Sequence, residues 1–168
     1  MQMPFTPFHL GPAFLLGELF EKKVNFFSIL TGSIIIDVRA TYCLFAGCLP
    51  LHGPFHTFLA ATIIGLLLAW FIYSQRTWLQ KVTDKLRIEQ SYSFNSIILG
   101  SIIGTWSHVI LDAPLYTDIT PLWPATTNPL LWTIGPLTIY MFCALSFVPA
   151  TVIFIYRYWK RDSKKQTS

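Results

Sequence analysis

The stretch FNSIILGSIIGTWSHVILDAPL, residues 94–115, decides the fold. It contains no Lys, Arg or Glu, and its only ionisable side chains are His108 and Asp112. It is long enough to cross the hydrocarbon core of a bilayer, which takes about 20 helical residues. Residues 54–74 and 130–156 have the same apolar character. Two shorter apolar segments precede them, residues 8–20 and 24–37, parted by Glu21-Lys22-Lys23. At about 1.5 Å of rise per residue, each of these is near 20 Å long, short of a core of roughly 30 Å. They read as short spans whose flanking lysines snorkel to the headgroups, or as a re-entrant hairpin covered by the longer helices. We expect short spans, five in all.

Composition points the same way. Of 168 residues, 53% are apolar and only 12% charged, against roughly 25% charged in soluble domains. Such a chain is neither a soluble globule nor a disordered one. The net charge of +4 forms no basic face, which argues against a nucleic-acid partner. What remains is an all-α polytopic membrane protein with a single helical domain over residues 1–159 and a polar, frayed cytoplasmic tail over 160–168.

The basic residues set the expected orientation. Lys22 and Lys23 fall in one connection, Arg76, Lys81, Lys85 and Arg87 in another, and Arg157, Lys160, Arg161, Lys164 and Lys165 close the chain. Residues 1–7 and 116–129 carry no Lys or Arg, and the loop expected after Asp37 carries only Arg39. With five crossings the basic segments all fall on one side. The positive-inside rule makes that side cytoplasmic, with the N-terminus outside and the C-terminus inside.

The remaining polar residues gather at the outer face. The four histidines, His9, His52, His56 and His108, and three of the eight acids, Asp37, Asp112 and Asp118, all map there. This grouping is independent of the topology, which used Lys and Arg alone. His108 and Asp112, four apart on one helix, share a face and can hold one cation. Ionisable groups at membrane depth are costly and normally face partners. Imidazole with carboxylate suits Zn, with Mn or Fe as alternatives, better than Ca or Mg. We therefore expect a metal site from His9, Asp37, His56, His108 and Asp112, while His52 reads either as a further ligand or as an interfacial polar residue. Asp118 reads equally as a helix cap. Arg39 reads as an interfacial anchor or as a bidentate partner for a substrate anion. Cys43 and Cys48 lie where an extracytoplasmic disulfide can form. Gly100 and Gly104, with Gly17, Gly32 and Gly65, let helices approach closely.

In chain order, Pro7-Phe8-His9, Ile36-Asp37, His52-Gly53-Pro54-Phe55-His56-Thr57, Ser107-His108-Val109-Ile110-Leu111-Asp112 and Leu122-Trp123-Pro124 form a set of short motifs. The set resembles the YdjM-like family of inner-membrane proteins, described as membrane-bound metal-dependent hydrolases. The resemblance covers about residues 4–125 and implies metal-site roles for His9, Asp37, His52, His56, His108 and Asp112. It also implies a prokaryotic cytoplasmic membrane. Two departures stand out: Arg39 where the family often has a second acid, and a shorter spacing between His52 and His56.

The expected activity is hydrolysis of a phospholipid or other lipid ester or phosphoester at the outer leaflet. Asp112 or Asp37 is the expected proton acceptor and Arg39 the anion-binding group. Two rivals stand beside it. One is a metal or proton transporter, against which the apolar runs 63–68 and 94–100 count; the other is a noncatalytic scaffold tied by a metal. Short first spans also suggest a homodimer.

Overall fold

The computed structural model describes residues 6–86, 88 and 90–166, with side chains described from residue 7 to 160. Pro4, Arg87 and the last two residues lie outside the described residues, as do the side chains of Arg161, Lys164 and Lys165. The described chain is helical throughout, with no strand. A 3₁₀ turn, Thr6–His9, leads into α1 (Leu10–Leu19). The helices α2 (Phe26–Ile35) and α3 (Asp37–Ala46) follow almost end to end. A second 3₁₀ turn, Gly53–His56, precedes α4 (Phe58–Ser74). Then come α5 (Arg76–Lys85), α6 (Phe94–Asp112) and α7 (Pro136–Gln166).

Three helices are long and apolar enough to cross a membrane: Phe26–Ala46, Phe94–Asp112 and Pro136–Lys160. A fourth appears if α4 and α5, bent by 73° at their junction, are taken as one span. The second segment is therefore not short. The loop expected after Asp37 is helix as far as Ala46, since the run Val-Arg-Ala-Thr-Tyr-Cys-Leu-Phe-Ala contains no breaker and the lone charge on Arg39 does not interrupt it. The helix ends at Gly47, whose φ of 71° is the left-handed conformation of a C-cap. Cys43 and Cys48 are disulfide-bonded across this end. Other limits shift too. Residues 130–135 are turns before Pro136 starts α7, and the polar segment expected to fray continues α7 through Gln166. The polar stretch that follows α4 forms α5 from Arg76 to Lys85.

Local capping fixes the helix starts. The Asn25 side chain accepts from the Ser28 N–H and donates to Ser91 O, and its own N–H bonds Ser96 O, so α2 and α6 begin side by side. Thr57 and Ser93 cap α4 and α6 through their hydroxyls.

Small residues then bring α2 onto α6. A Cβ on Gly104 would strike Ile29 O and lie 2.9 Å from Ser33 N, and one on Gly32 would lie 2.8 Å from Ser101 O. Close approach of this kind is how helices associate without a hydrophobic drive between them. From Asn25–Ser96 to Ser33–His108 the two helices run parallel. Contacts from Thr62–Trp106 to Tyr73–Phe94 make α4 antiparallel to α6. Gly11 against Cys143, Phe14 against Phe154 and Glu18 against Arg157 make α1 parallel to α7. The outward surface is a belt of exposed Leu, Ile, Phe and Trp on α4 and α7, as a lipid-facing wall requires.

Candidate metal centre

Three parts of the chain deliver four polar side chains to one point beside the end of α6. His108 and Asp112 sit on one face of that helix, Asp37 comes from the junction of α2 and α3, and His56 ends the 3₁₀ turn before α4. Their ligating atoms all lie within 4.8 Å of one another. His108 Nε2 is 3.2 Å from Asp37 Oδ1, Asp112 Oδ2 and His56 Nε2. His56 Nε2 is 3.3 Å from Asp37 Oδ1 and 3.5 Å from Asp112 Oδ2. A tetrahedron of ligands at about 2.0–2.1 Å from zinc has edges of roughly 3.3–3.4 Å, so these separations suit one cation.

The second ring nitrogens decide what the first can do. His108 Nδ1 lies 2.6 Å from Ser33 O, and His56 Nδ1 lies 3.1 Å from His52 O. A carbonyl only accepts, so each Nδ1 carries a proton and, in the neutral ring, each Nε2 presents a lone pair. Two lone pairs and two carboxylates then converge, an arrangement that a cation, or protons on the Nε2 atoms, would neutralise. Backbone carbonyls orienting metal-binding imidazoles are the usual outer support of such sites. His56 senses the same demand: burial opposes its charge, but the carboxylates of Asp112 and Asp37 outweigh burial and raise its pKa above the ordinary value.

Over residues 9–166 the chain matches the YdjM inner membrane protein family. The chain belongs to that family. No curated protein and no solved structure matches it. As a YdjM family member it is an inner membrane protein, in keeping with its apolar helices.

The other expected site residues of this YdjM protein lie around the four. His9 is one layer out: its Nε2 is 3.2 Å from Asp112 Oδ1, the oxygen turned away from the cluster, and its ring stacks on His108 with centroids 4.1 Å apart. His52 does not join the four either. Its Nδ1 lies 2.8 Å from Asp118 Oδ1 and its N–H donates to Asp118 Oδ2 at 3.1 Å. Burial and the neighbouring His56 hold its pKa below the ordinary value, against the pull of Asp118. Burial works to raise the Asp118 pKa, but the bonds from His52 prevail and lower it. Asp118 is thus the partner of His52, with no capping bond to its name. Arg39 donates through Nη1 to Pro50 O and Leu51 O, at 2.9 and 2.8 Å. It clamps the loop that carries His52.

Two contributors had no signal in the sequence. Ser33 acts through its carbonyl, which any residue supplies; only the flanking Gly32, which admits α6, hints at it. Tyr116 is buried against the His52 ring, centroids 4.0 Å apart, and sits in a connection without periodicity. Its pKa is raised by burial and by the nearby Asp112 carboxylate.

Proposed function

We propose that this chain is a metal-dependent hydrolase acting on a lipid ester or phosphoester at the extracytoplasmic face of the inner membrane. The observation that carries the reading is the convergence of two carbonyl-oriented imidazoles and two carboxylates within 4.8 Å of one another. His56, His108, Asp37 and Asp112 would hold the cation, which we take to be Zn, with Mn or Fe as alternatives. When bound, such a cation supplies Lewis-acid polarisation of an ester or phosphoryl oxygen and activation of water. The chain's own residues do the rest. Ser33 O and His52 O keep both imidazoles in one tautomer. The Asp112 carboxylate faces the four-residue group through Oδ2 and His9 Nε2 through Oδ1, so this pair can hold a proton next to the centre.

The proposed topology has five crossings, with the N-terminus outside. Although α1 is only 10 residues long, it links the two polar layers. At its start His9 reaches Asp112, and at its end Glu18 and Glu21 reach Arg157 on the basic side. The parallel and antiparallel packing of the helices alternates as five crossings demand. Transport fits less well, because Ser28, Ser33 and Thr105 between α2 and α6 donate their hydroxyls to carbonyls of their own turns.

One observation favours a second reading, a purely structural metal. His56 and His108 are 0% exposed, Asp37 1% and Asp112 2%, and structural sites are closed whereas catalytic ones keep an open position. The test uses metal-replete protein in proteoliposomes of bacterial phospholipids, with release of fatty acid, diacylglycerol and headgroup measured before and after chelation. Hydrolysis that chelation abolishes and zinc restores supports the enzyme. Metal-replete, folded protein that releases none of these products overturns it.

A further inference from the structure

Two adjacent cavities flank the loop that carries His52. One, of about 400 Å³, lies between Leu59, Ala60 and Ile63 of α4 and the side chains of Pro54, Thr120 and Trp123. Leu59 and Ile63 are exposed on the belt that faces lipid, so this cavity opens sideways to hydrocarbon. The other, of about 760 Å³, is lined by His52, Tyr116 and Thr117 with Leu49, Leu51 and Trp132. Pro50 and Asp118 line both. The two cavities are therefore adjacent, and Asp118, the partner of His52, stands on the wall they share.

His52 is not satisfied by what surrounds it. The Asp118 carboxylate occupies Nδ1, which must carry the proton, so in the neutral ring Nε2 is an acceptor. That Nε2 is buried, with no hydrogen-bond partner among the described residues. Buried polar atoms are almost always partnered, so His52 is short of a donor. The ring also meets His56 edge-on, centroids 4.8 Å apart, which places whatever binds His52 next to the four-residue group.

We propose that the two cavities together form a cleft for a glycerol-headgroup lipid of the phosphatidylglycerol class. Its acyl chain lies between α4 and Trp123, and a headgroup hydroxyl donates to His52 Nε2. This rests on the reading of the neighbouring centre as one that acts on lipids, and it narrows the substrate to one whose headgroup donates hydrogen bonds. A choline headgroup has no donor, and a bare phosphate would meet a lone pair and the Asp118 carboxylate. An ethanolamine headgroup donates but would set its ammonium beside the cation that the four-residue group would hold. Phosphatidylethanolamine is therefore a second competitor in the test and should compete no better than phosphatidylcholine.

The test is photolabelling of the full-length protein in phosphatidylcholine nanodiscs doped with phosphatidylglycerol that carries a diazirine on one acyl chain. Labelled peptides are mapped by mass spectrometry, and metal content is measured on every sample. Labels should concentrate on residues 59–63 and Trp123. Unlabelled phosphatidylglycerol should compete about tenfold better than phosphatidylcholine, the factor expected for one hydrogen bond. Ala60→Trp should fill the cleft and remove the labels, while His52→Phe should keep them and erase the headgroup preference. Should Ala60→Trp lose its metal and fold poorly, Ile63→Trp on the exposed rim serves in its place. Equal labelling of the exposed face of α7, or no preference between headgroups, overturns the proposal. The readout is binding, so labelled protein that hydrolyses no lipid leaves the cleft standing and removes only the hydrolase. Hydrolysis by protein whose cleft stays unlabelled does the reverse.

Discussion

At one end of α1, the carboxylates of Asp37 and Asp112 are faced by the imidazoles of His56, His108 and His9. At its other end, Glu18 and Glu21 are faced by Arg157, whose Nη1 lies 3.0 Å from an oxygen of each and also donates to Glu18 O. Both ends bury negative charge in a bilayer-sized bundle, where an unpaired charge is costly. They neutralise it differently. The Arg157 end carries its own permanent cation, because a guanidinium does not lose its proton in proteins. The histidine end has no permanent cation: with the Nδ1 protons of His56 and His108 committed to backbone carbonyls, its positive charge comes from protons at Nε2 or from a metal ion in their place. A cluster with a permanent cation ties helices together; one without it can exchange protons for a metal.

Removing ligands tests that contrast most severely. His108→Ala and Asp112→Asn should each lose the metal, with affinity falling by more than the roughly 10–100-fold seen when only an outer support is removed. Elemental analysis of purified protein, combined with a competitive zinc titration, reads this directly. Retention of a near-stoichiometric ion in both variants would mean that the four atoms are not its ligands. The contrast between the two ends would then collapse.

A substitution remote from any ligand gives the next largest effect. A Cβ on Gly104 meets the backbone of α2 at Ile29 and Ser33, so Gly104→Ala must push α6 away from the carbonyl that orients His108. Overpacking of this kind costs about 1–3 kcal/mol. Loss of the Ser33–His108 bond should weaken metal binding by about 10–100-fold. If Gly104→Ala lowers stability while leaving the zinc affinity of the folded protein unchanged, the carbonyl has no part in tuning the site.

How much of this was legible follows from what each contact depends on. His108 and Asp112 were legible because four residues on a helix is one face, and Asp37 and His56 because they share an end of the bundle with them. Sequence could not separate the inner four from His9 and His52. That division depends on which oxygen of Asp112 faces which ring, and on Asp118, which lies 66 positions from His52, claiming its Nδ1. The Arg157 end was missed altogether. Glu18 and Arg157 are 139 positions apart, and a lone acid in a short helix looks like any interfacial residue. The extent of α3 was missed because Arg39 in an apolar run reads as a loop, whereas its long side chain reaches back to the loop carbonyls from within a helix.

The other end gives the third expectation. Arg157→Met removes the guanidinium that pairs with Glu18 and Glu21, and since the Arg157 side chain is 26% exposed the cost should be about 1–3 kcal/mol rather than that of a fully buried pair. Thermal unfolding in detergent, with zinc and with chelator, should show the same loss in both conditions. Chelation should lower the midpoint of the parent and of Arg157→Met alike, because a metal bound only to the folded state adds stability by mass action. Glu18→Gln combined with Arg157→Met should recover most of the loss. A loss that appears only in the presence of zinc would show that the two ends are coupled rather than independent.

Arg39 gives the smallest effect and the finest distinction. Its Nη1 holds two carbonyls of the loop leading to His52, so Arg39→Ala should destabilise the protein by about 1–2 kcal/mol, the order of two modest hydrogen bonds. Zinc content should be unchanged, since none of the four ligating side chains contacts the clamp. An anion-binding role makes the opposite pattern: unchanged stability, with KM for an anionic lipid raised. The clamp is the role that the geometry supports: Nη1 gives its N–H groups to two backbone carbonyls, and the guanidinium lies against Gly53. A Cβ at Gly53 would collide with that guanidinium, and the φ of 54° there strains any Cβ. Gly53→Ala should therefore cost at least as much as Arg39→Ala, and in an Arg39→Ala background only the backbone part of that loss should remain. Additive losses would show that Arg39 acts somewhere other than on this loop.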